Sequence, residues 1–188
     1  MKVFIAGPRA VKTLNKDITD VLSRIIEKQL TVLLGDADGV DKLVQAFFTD
    51  AKYQNVYIYA CNGKARNNIG AWPIISVEVP TAVKGFDFYT QKDIHMAKDA
   101  DSGFMVWNGQ SKGTFNNIIN LTSQNKKTMI YFIPTKKTYC TDKLSDIESM
   151  AKSMGSETYT LFCKLCPKKT TPNENVDFHQ LSLSELFL

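Results

Sequence analysis

The stretch Asp101-Ser-Gly-Phe-Met-Val-Trp107-Asn-Gly109-Gln-Ser111-Lys-Gly113-Thr114-Phe-Asn-Asn117 decides how the chain is read. Residues 103–107 are a short apolar run of the buried-strand kind. The run breaks at Asn108-Gly109, and helical spacing starts near Thr114, with Phe115, Ile118, Ile119 and Thr122 on one stripe. A turn of small residues between a buried strand and a helix leaves free backbone N–H groups at the positive end of the helix dipole. That suits a phosphate or another anion. Ser and Thr also cap helices with no ligand present, and this stretch alone does not separate the two readings.

Upstream, an apolar run over residues 2–6 closes in Gly7-Pro8-Arg9, a first strand and its turn. Ile18, Val21, Leu22, Ile25 and Ile26 follow at amphipathic helical spacing. A second strand over 31–34 ends in Gly35-Asp36-Ala37-Asp38-Gly39, and Val40, Leu43, Val44, Phe47 and Phe48 repeat the helical pattern. A third strand covers 55–60. Residues 61–85 show little periodicity and read as one long loop, with Arg66, Asn67, Asn68 and Trp72 as a plausible lid over a ligand. A helix over 87–99, the 103–107 strand, the helix from Thr114 and a fifth strand over 128–133 complete the series. Strands alternating with helices imply parallel pairing through right-handed crossovers. The fold class expected is α/β, a Rossmann-like doubly wound parallel sheet of about five strands with a small C-terminal extension. In that topology the first and fourth strands are neighbours, and their carboxyl ends open a crevice. The Gly7-Pro8-Arg9 turn then faces the 109–114 turn across one pocket. Residues 1–133 are expected to form this domain and 134–188 the extension, with a helix near Leu144 to Ala151, a strand over 158–162 and a polar loop over 167–176.

Composition narrows the function classes. The chain has 188 residues, 44% apolar and 22% charged, ordinary values for a soluble globular domain. A formal net charge of +4 is a mild excess, concentrated in lysines of the last third, and does not call for nucleic acid. No apolar run approaches the ~20 residues that cross a bilayer, and the N-terminus does not read as a secretory signal. The four cysteines do not form a secreted disulfide framework, so cytoplasmic residence is expected. Cys163 and Cys166 make a lone CxxC with only Cys140 and His179 near enough in sequence to complete a zinc site; no metal and no cofactor is expected. His95 and His179 have no matching nucleophile motif and are assigned no catalytic role.

Several residues point at chemistry. Arg9 offers a planar fork for phosphate or carboxylate. The 35–41 segment lacks the ligands of a calcium loop and reads as a glycine-rich turn that puts Asp38 or Asp41 at a helix start. Tyr89, Asp93, Met96, Ala97 and Ala100 share one helical face. Asp93 on that stripe either binds at the pocket edge or pairs with Lys92 or Arg66. Asp101 either caps locally or points at the crevice, and Trp107 stacks on a ligand or walls the pocket.

Taken in order, Gly7-Pro8-Arg9, Gly35-Asp-Ala-Asp-Gly-Val-Asp41, Arg66-Asn67, Lys92-Asp93-Ile-His-Met96, Ala100-Asp101 and Gly109-Gln-Ser111-Lys-Gly113-Thr114 resemble the SLOG group of Rossmann-like nucleotide-binding domains, particularly its YspA-like branch. The start and the Gly113-Thr114 segment are also similar to nucleoside deoxyribosyltransferases. The resemblance covers residues 1 to about 133. It implies a nucleotide or nucleoside-derived small molecule held by Gly7, Pro8, Arg9, Gly35, Asp36, Gly39, Asp41, Arg66, Asn67, Trp107, Gly109, Ser111, Lys112, Gly113, Thr114 and Asn117. Self-association is left open. SLOG relatives include phosphoribohydrolases that cut N-glycosidic bonds and others that sense nucleotide-derived ligands. The enzymes keep Gly-Thr-x-x-Glu, and Asn117 stands where that glutamate would be. An amide supplies neither nucleophile nor general base. The expectation is therefore a ligand-binding sensor; the alternative is an N-glycosidic hydrolase or transferase with Asp93 or Asp101 as its carboxylate.

Overall fold

A computed structural model of the protein describes residues 1–166. The expected loop over 167–176 and His179 lie outside the described residues. The elements run β1 (Lys2–Ala6), α1 (Lys16–Glu27), β2 (Thr31–Leu34), α2 (Val40–Asp50), β3 (Val56–Cys61), β4 (Ile74–Val77), α3 (Gly85–Asp99), β5 (Ser102–Trp107), α4 (Lys112–Thr122), β6 (Thr128–Phe132), β7 (Lys137–Thr141), α5 (Leu144–Met154) and α6 (Ser156–Leu165).

One sheet runs in the order β4-β3-β2-β1-β5-β6-β7, parallel except for β7, which is antiparallel to β6. The strand expected to neighbour β1 does so: Val3 pairs with Ser102 and Ala6 with Met105. The chain reverses its direction of travel across the sheet at β1 and β5, so their carboxyl ends diverge into a crevice. The alternation of β1 makes both cores. Val3 and Ile5 enter a layer with α1 and α2, through Ile18, Leu22, Val44 and Phe48. Phe4 and Ala6 enter the opposite layer, with Met96 of α3, Phe115 and Ile118 of α4, Ile147 of α5 and Phe162 of α6.

The sheet has seven strands rather than about five. β4 interrupts the segment read as one long loop; it is a four-residue edge strand, Ile-Ile-Ser-Val, too short to show a period, with only Val77 buried. Trp72, expected in a lid, is instead buried in the α1–α2 core, and its indole N–H donates to the Tyr53 carbonyl at 2.9 Å. The strand expected over 158–162 is part of α6. Thr158, Tyr159 and Phe162 favour strands intrinsically, but packing Phe162 into the core beside α5 overrides that preference. Within 134–188, β7, α5 and α6 continue the same sheet and the same core layer. No helix among the described residues is long and apolar enough to cross a membrane.

Candidate functional site

A cleft of about 600 Å³ opens at the carboxyl ends of β1 and β5. Its first wall is the turn after β1. Gly7 has no room for a side chain: a Cβ there would lie 2.5 Å from Val40 Cγ2 and 2.9 Å from the Val106 carbonyl. Gly39, at φ 76°, brings the turn after β2 against the same backbone; a Cβ on it would lie 2.5 Å from Arg9 Cα. The Val40 N–H donates to the Pro8 carbonyl at 3.2 Å and fixes the approach. These contacts hold Pro8 and Arg9 at the cleft mouth.

The second wall is the start of α4. Asn108 Oδ1 accepts from the N–H groups of Gln110 (3.1 Å) and Ser111 (2.9 Å), an Asx turn that Gly109 continues at φ 82°. Ser111 is the N-cap, its Oγ 2.9 Å from Thr114 Oγ1 and accepting from the Thr114 N–H. Capping and cleft lining are thus both present. The helix start leaves the amides of Lys112 and Gly113 without helical acceptors. Trp107 does not wall the cleft as expected. It is fully buried, stacked on Phe115 with centroids 4.7 Å apart, and its indole donates to the Ser111 carbonyl at 3.1 Å. Its work is to brace the turn from below.

The third wall is α3 with the starts of α2 and the loop after β3. Arg66 makes a forked pair with Asp36, at 2.7 Å to Oδ1 and 3.1 Å to Oδ2, and its own N–H adds a third bond at 3.0 Å. Burial alone would raise the Asp36 carboxyl; the Arg66 bonds and the Lys92 and Arg66 charges outweigh it and hold the group below its ordinary value. The Arg66 guanidinium also lies 4.3 Å from the Tyr89 ring centre, and that of Arg9 5.4 Å from it. One aromatic ring therefore positions two cations of the cleft.

Lys92 is buried, bonded to Asp93 Oδ1 at 2.7 Å and 3.8 Å from Asp36 Oδ1. Burial pulls its ammonium down, but the charges of Asp93 and Asp41 and the bond to Asp93 prevail and push it up, so it stays charged. Asp41, 5% exposed, accepts among the described residues only from the Ala37 N–H, at 3.2 Å. Burial pushes its carboxyl up to about 7, with Lys92 working against the shift and Asp93 adding to it.

No protein-family model matches the chain. No curated protein matches it either. Its chemistry is read from the cleft.

Of the residues singled out from sequence, Gly7, Pro8, Arg9, Asp41, Arg66, Asp93, Ser111, Gly113, Thr114 and Asn117 line the one cleft. Gly35, Asp36, Gly39 and Asn67 support it from behind; the Asn67 amide, for example, donates to the Asp36 carbonyl at 2.9 Å. Gly109 shapes the turn against Phe132, and Lys112 is exposed outside the lining. Asp101 is a correction. It sits at the amino end of β5, where its Oδ2 accepts from the Lys2 N–H at 2.7 Å, and the strand's length of about 20 Å separates it from the cleft. Sequence reading missed Phe86 as a lining residue and took Lys92 only as a partner for Asp93. Extending the Tyr89–Asp93–Met96 stripe one turn toward the helix start would have reached Phe86. Among the described residues no group of three or more His, Cys, Asp or Glu is arranged to hold a metal ion.

Proposed function

We propose that the protein is a SLOG-type domain that binds a nucleotide or nucleoside-derived ligand across the carboxyl ends of β1 and β5 and acts as a sensor of that ligand. Asn117 carries this reading. Its side chain is 3% exposed and lines the cleft, yet its Oδ1 has no hydrogen-bond partner among the described residues. An unpaired buried amide costs about 1–3 kcal/mol, which a ligand that donates to it would recover. One turn earlier on the same helix, the amides of Lys112 and Gly113 and the hydroxyls of Ser111 and Thr114 suit a phosphate. Arg9 is the natural second contact, since it makes no ion pair among the described residues, whereas Arg66 is committed to Asp36 and Lys92 to Asp93. One uncommitted guanidinium beside one helix start suits a single phosphate group better than a triphosphate.

Asn117, in place of a carboxylate, favours binding over turnover. The second reading is hydrolysis or transfer at an N-glycosidic bond, and Asp41 is the observation in its favour. A cleft carboxyl near pKa 7 is matched to proton transfer at neutral pH. Incubation with nucleoside monophosphates and NAD, monitored for free base and for thermal stability, separates the two. A raised unfolding temperature without base release supports the sensor. Base release abolished by Asp41→Asn supports the enzyme, and neither effect with any compound refutes both.

A further inference from the structure

β4 is an open edge of the sheet. Ile58 donates its N–H to the Pro73 carbonyl at 3.0 Å, and Asn62 donates to the Val77 carbonyl at 2.9 Å. Along a strand the main-chain groups point to alternate sides. Pro73, Ile75 and Val77 therefore face β3, and the N–H and C=O of Ile74 and Ser76 face away from it. One alternation earlier, the Asn68 side chain fills both groups of Trp72, donating to its carbonyl at 2.8 Å and accepting from its N–H at 3.0 Å. The open edge is thus Ile74 to Ser76. Its side chains are apolar as well. Ile74 is 42% exposed on the α1–α2 side, and Ile75 is 36% exposed on the α3 side, the same face as the exposed Tyr57 of β3.

Natural edges are guarded by lysine, proline or a bulge. The opposite edge strand, β7, is entered through the exposed Lys136 and Lys137. β4 has no such guard: residues 67–77 carry no charge, and Pro73 falls on the inward set. An opening this short, closed at one end by Asn68, gives a long foreign strand little to bind, but it is self-complementary. Turned about a two-fold axis through Ile75, Ile74 of one copy stands opposite Ser76 of the other, and the reverse. Two residues with one donor and one acceptor each then give four hydrogen bonds across the axis. Ile75 meets its own copy as a non-hydrogen-bonded pair, the closer kind. The partner strand ends at Val77, before the position opposite Trp72 that Asn68 occupies. We propose that two copies of the chain pair antiparallel through β4 and join their sheets into one. The clefts, at β1 and β5, lie away from the axis and stay open. Interfaces carry about one hydrogen bond per 100–200 Å², so four imply roughly 400–800 Å², below the ~1,200 Å² of stable complexes. The dimer is therefore weak, with a dissociation constant on the order of 10–100 µM.

Sedimentation velocity of the full chain, from about tenfold below to about tenfold above that constant, reads the association. Amide hydrogen exchange followed by NMR locates it. A concentration-dependent shift from monomer to dimer is expected, with the amides of Ile74 and Ser76 slowing in step. Ser76→Pro removes an outward N–H and leaves the ladder with β3 whole; Ile75→Lys puts two like charges on the axis. Each should weaken the dimer about tenfold or more while keeping the wild-type circular dichroism and a cooperative thermal transition. A wild type that stays monomeric throughout overturns the proposal. So does a dimer that survives both substitutions, or one in which the Ile74 and Ser76 amides keep exchanging fast, because another surface then joins the copies. Amides already protected in the monomer overturn it too, by showing that another segment of the chain covers this edge.

Discussion

Asp41 and Lys92 converge on the backbone of Gly35. A Cβ on that glycine would run into Asp41 Oδ2 and lie 2.8 Å from Lys92 Nζ. The end of β2 must be bare because a carboxyl and an ammonium, from α2 and α3, are folded against it. Net charge in this region is balanced by neighbours rather than by solvent, and its cost and use can be measured separately.

The cost falls on Asp41. Its folded value of about 7 lies above the ordinary 3.8, so between those pH values the folded state keeps a proton that the unfolded chain has released. Stability is therefore highest, as far as this group is concerned, below about pH 4. It declines as pH rises toward 7, and the full penalty, on the order of 4 kcal/mol, applies above that. Asp41→Asn keeps the shape and removes the ionisation. Urea unfolding should show the variant gaining about two to three times more stability over wild type at pH 8 than at pH 5. Equal gains at the two pH values would show that burial of this charge is not what the position costs.

Arg9 and Arg66 share the Tyr89 ring but differ in what they leave behind. Arg66→Ala strands Asp36 in a buried site without its forked partner and should cost about 2–3 kcal/mol, less than a fully buried pair because the guanidinium is one-third exposed. Arg9→Ala strands nothing and should change stability by less than about 0.5 kcal/mol. Its loss should appear in phosphate affinity, about tenfold, with a shallower dependence on salt. A large destabilisation by Arg9→Ala would mean that the residue is structural.

Gly39 tests whether the two turns work as one. A Cβ there meets the Arg9 backbone at 2.5 Å, and φ 76° is strained for any L side chain. Gly39→Ala should cost about 2 kcal/mol or more and should also weaken phosphate binding, because the turn that presents Arg9 must move. Gly85 also has positive φ, 65°, but nothing lies near its Cβ. Gly85→Ala should cost no more than about 1–2 kcal/mol of backbone strain. If Gly39→Ala keeps wild-type phosphate affinity, the packing of the turn after β2 on Arg9 does not set the site.

The central strands and the crevice were legible because their signals are local and periodic. β1, β2, β3, β5 and β6 are apolar runs closed by turn residues, and parallel order follows from the intervening helices. β4 and β7 were not legible, since edge strands need bury little: three of the four residues of β4 are exposed, and β7 begins on an exposed Lys137 and buries only Thr141 fully. Asp101 shows a different limit. It stands beside a strand that does reach the cleft, but at the wrong end of it, and a sequence motif does not mark which end of a strand faces a ligand. Trp107 is the converse case, in the right place but turned into the core, where Phe115 offers a larger apolar contact than a cleft would.

Asn117 gives the sharpest test of a binding residue against a structural one. A structural amide is bonded, and removing it costs stability. This amide has an unpartnered buried oxygen, so replacing it with an apolar group of similar size removes a desolvation penalty. Asn117→Leu should therefore raise the stability of the unliganded protein, by about 1 kcal/mol, while lowering AMP affinity at least about tenfold. Leu121, one turn further along α4 on the same face, is fully buried and apolar and gives a leucine at 117 a matching neighbour. Thermal unfolding without ligand and calorimetry with AMP read the two effects separately. Opposite signs place the cost of Asn117 in the service of a ligand; a loss of stability in the unliganded variant would show that the amide is bonded in solution and would remove the observation on which the binding site rests.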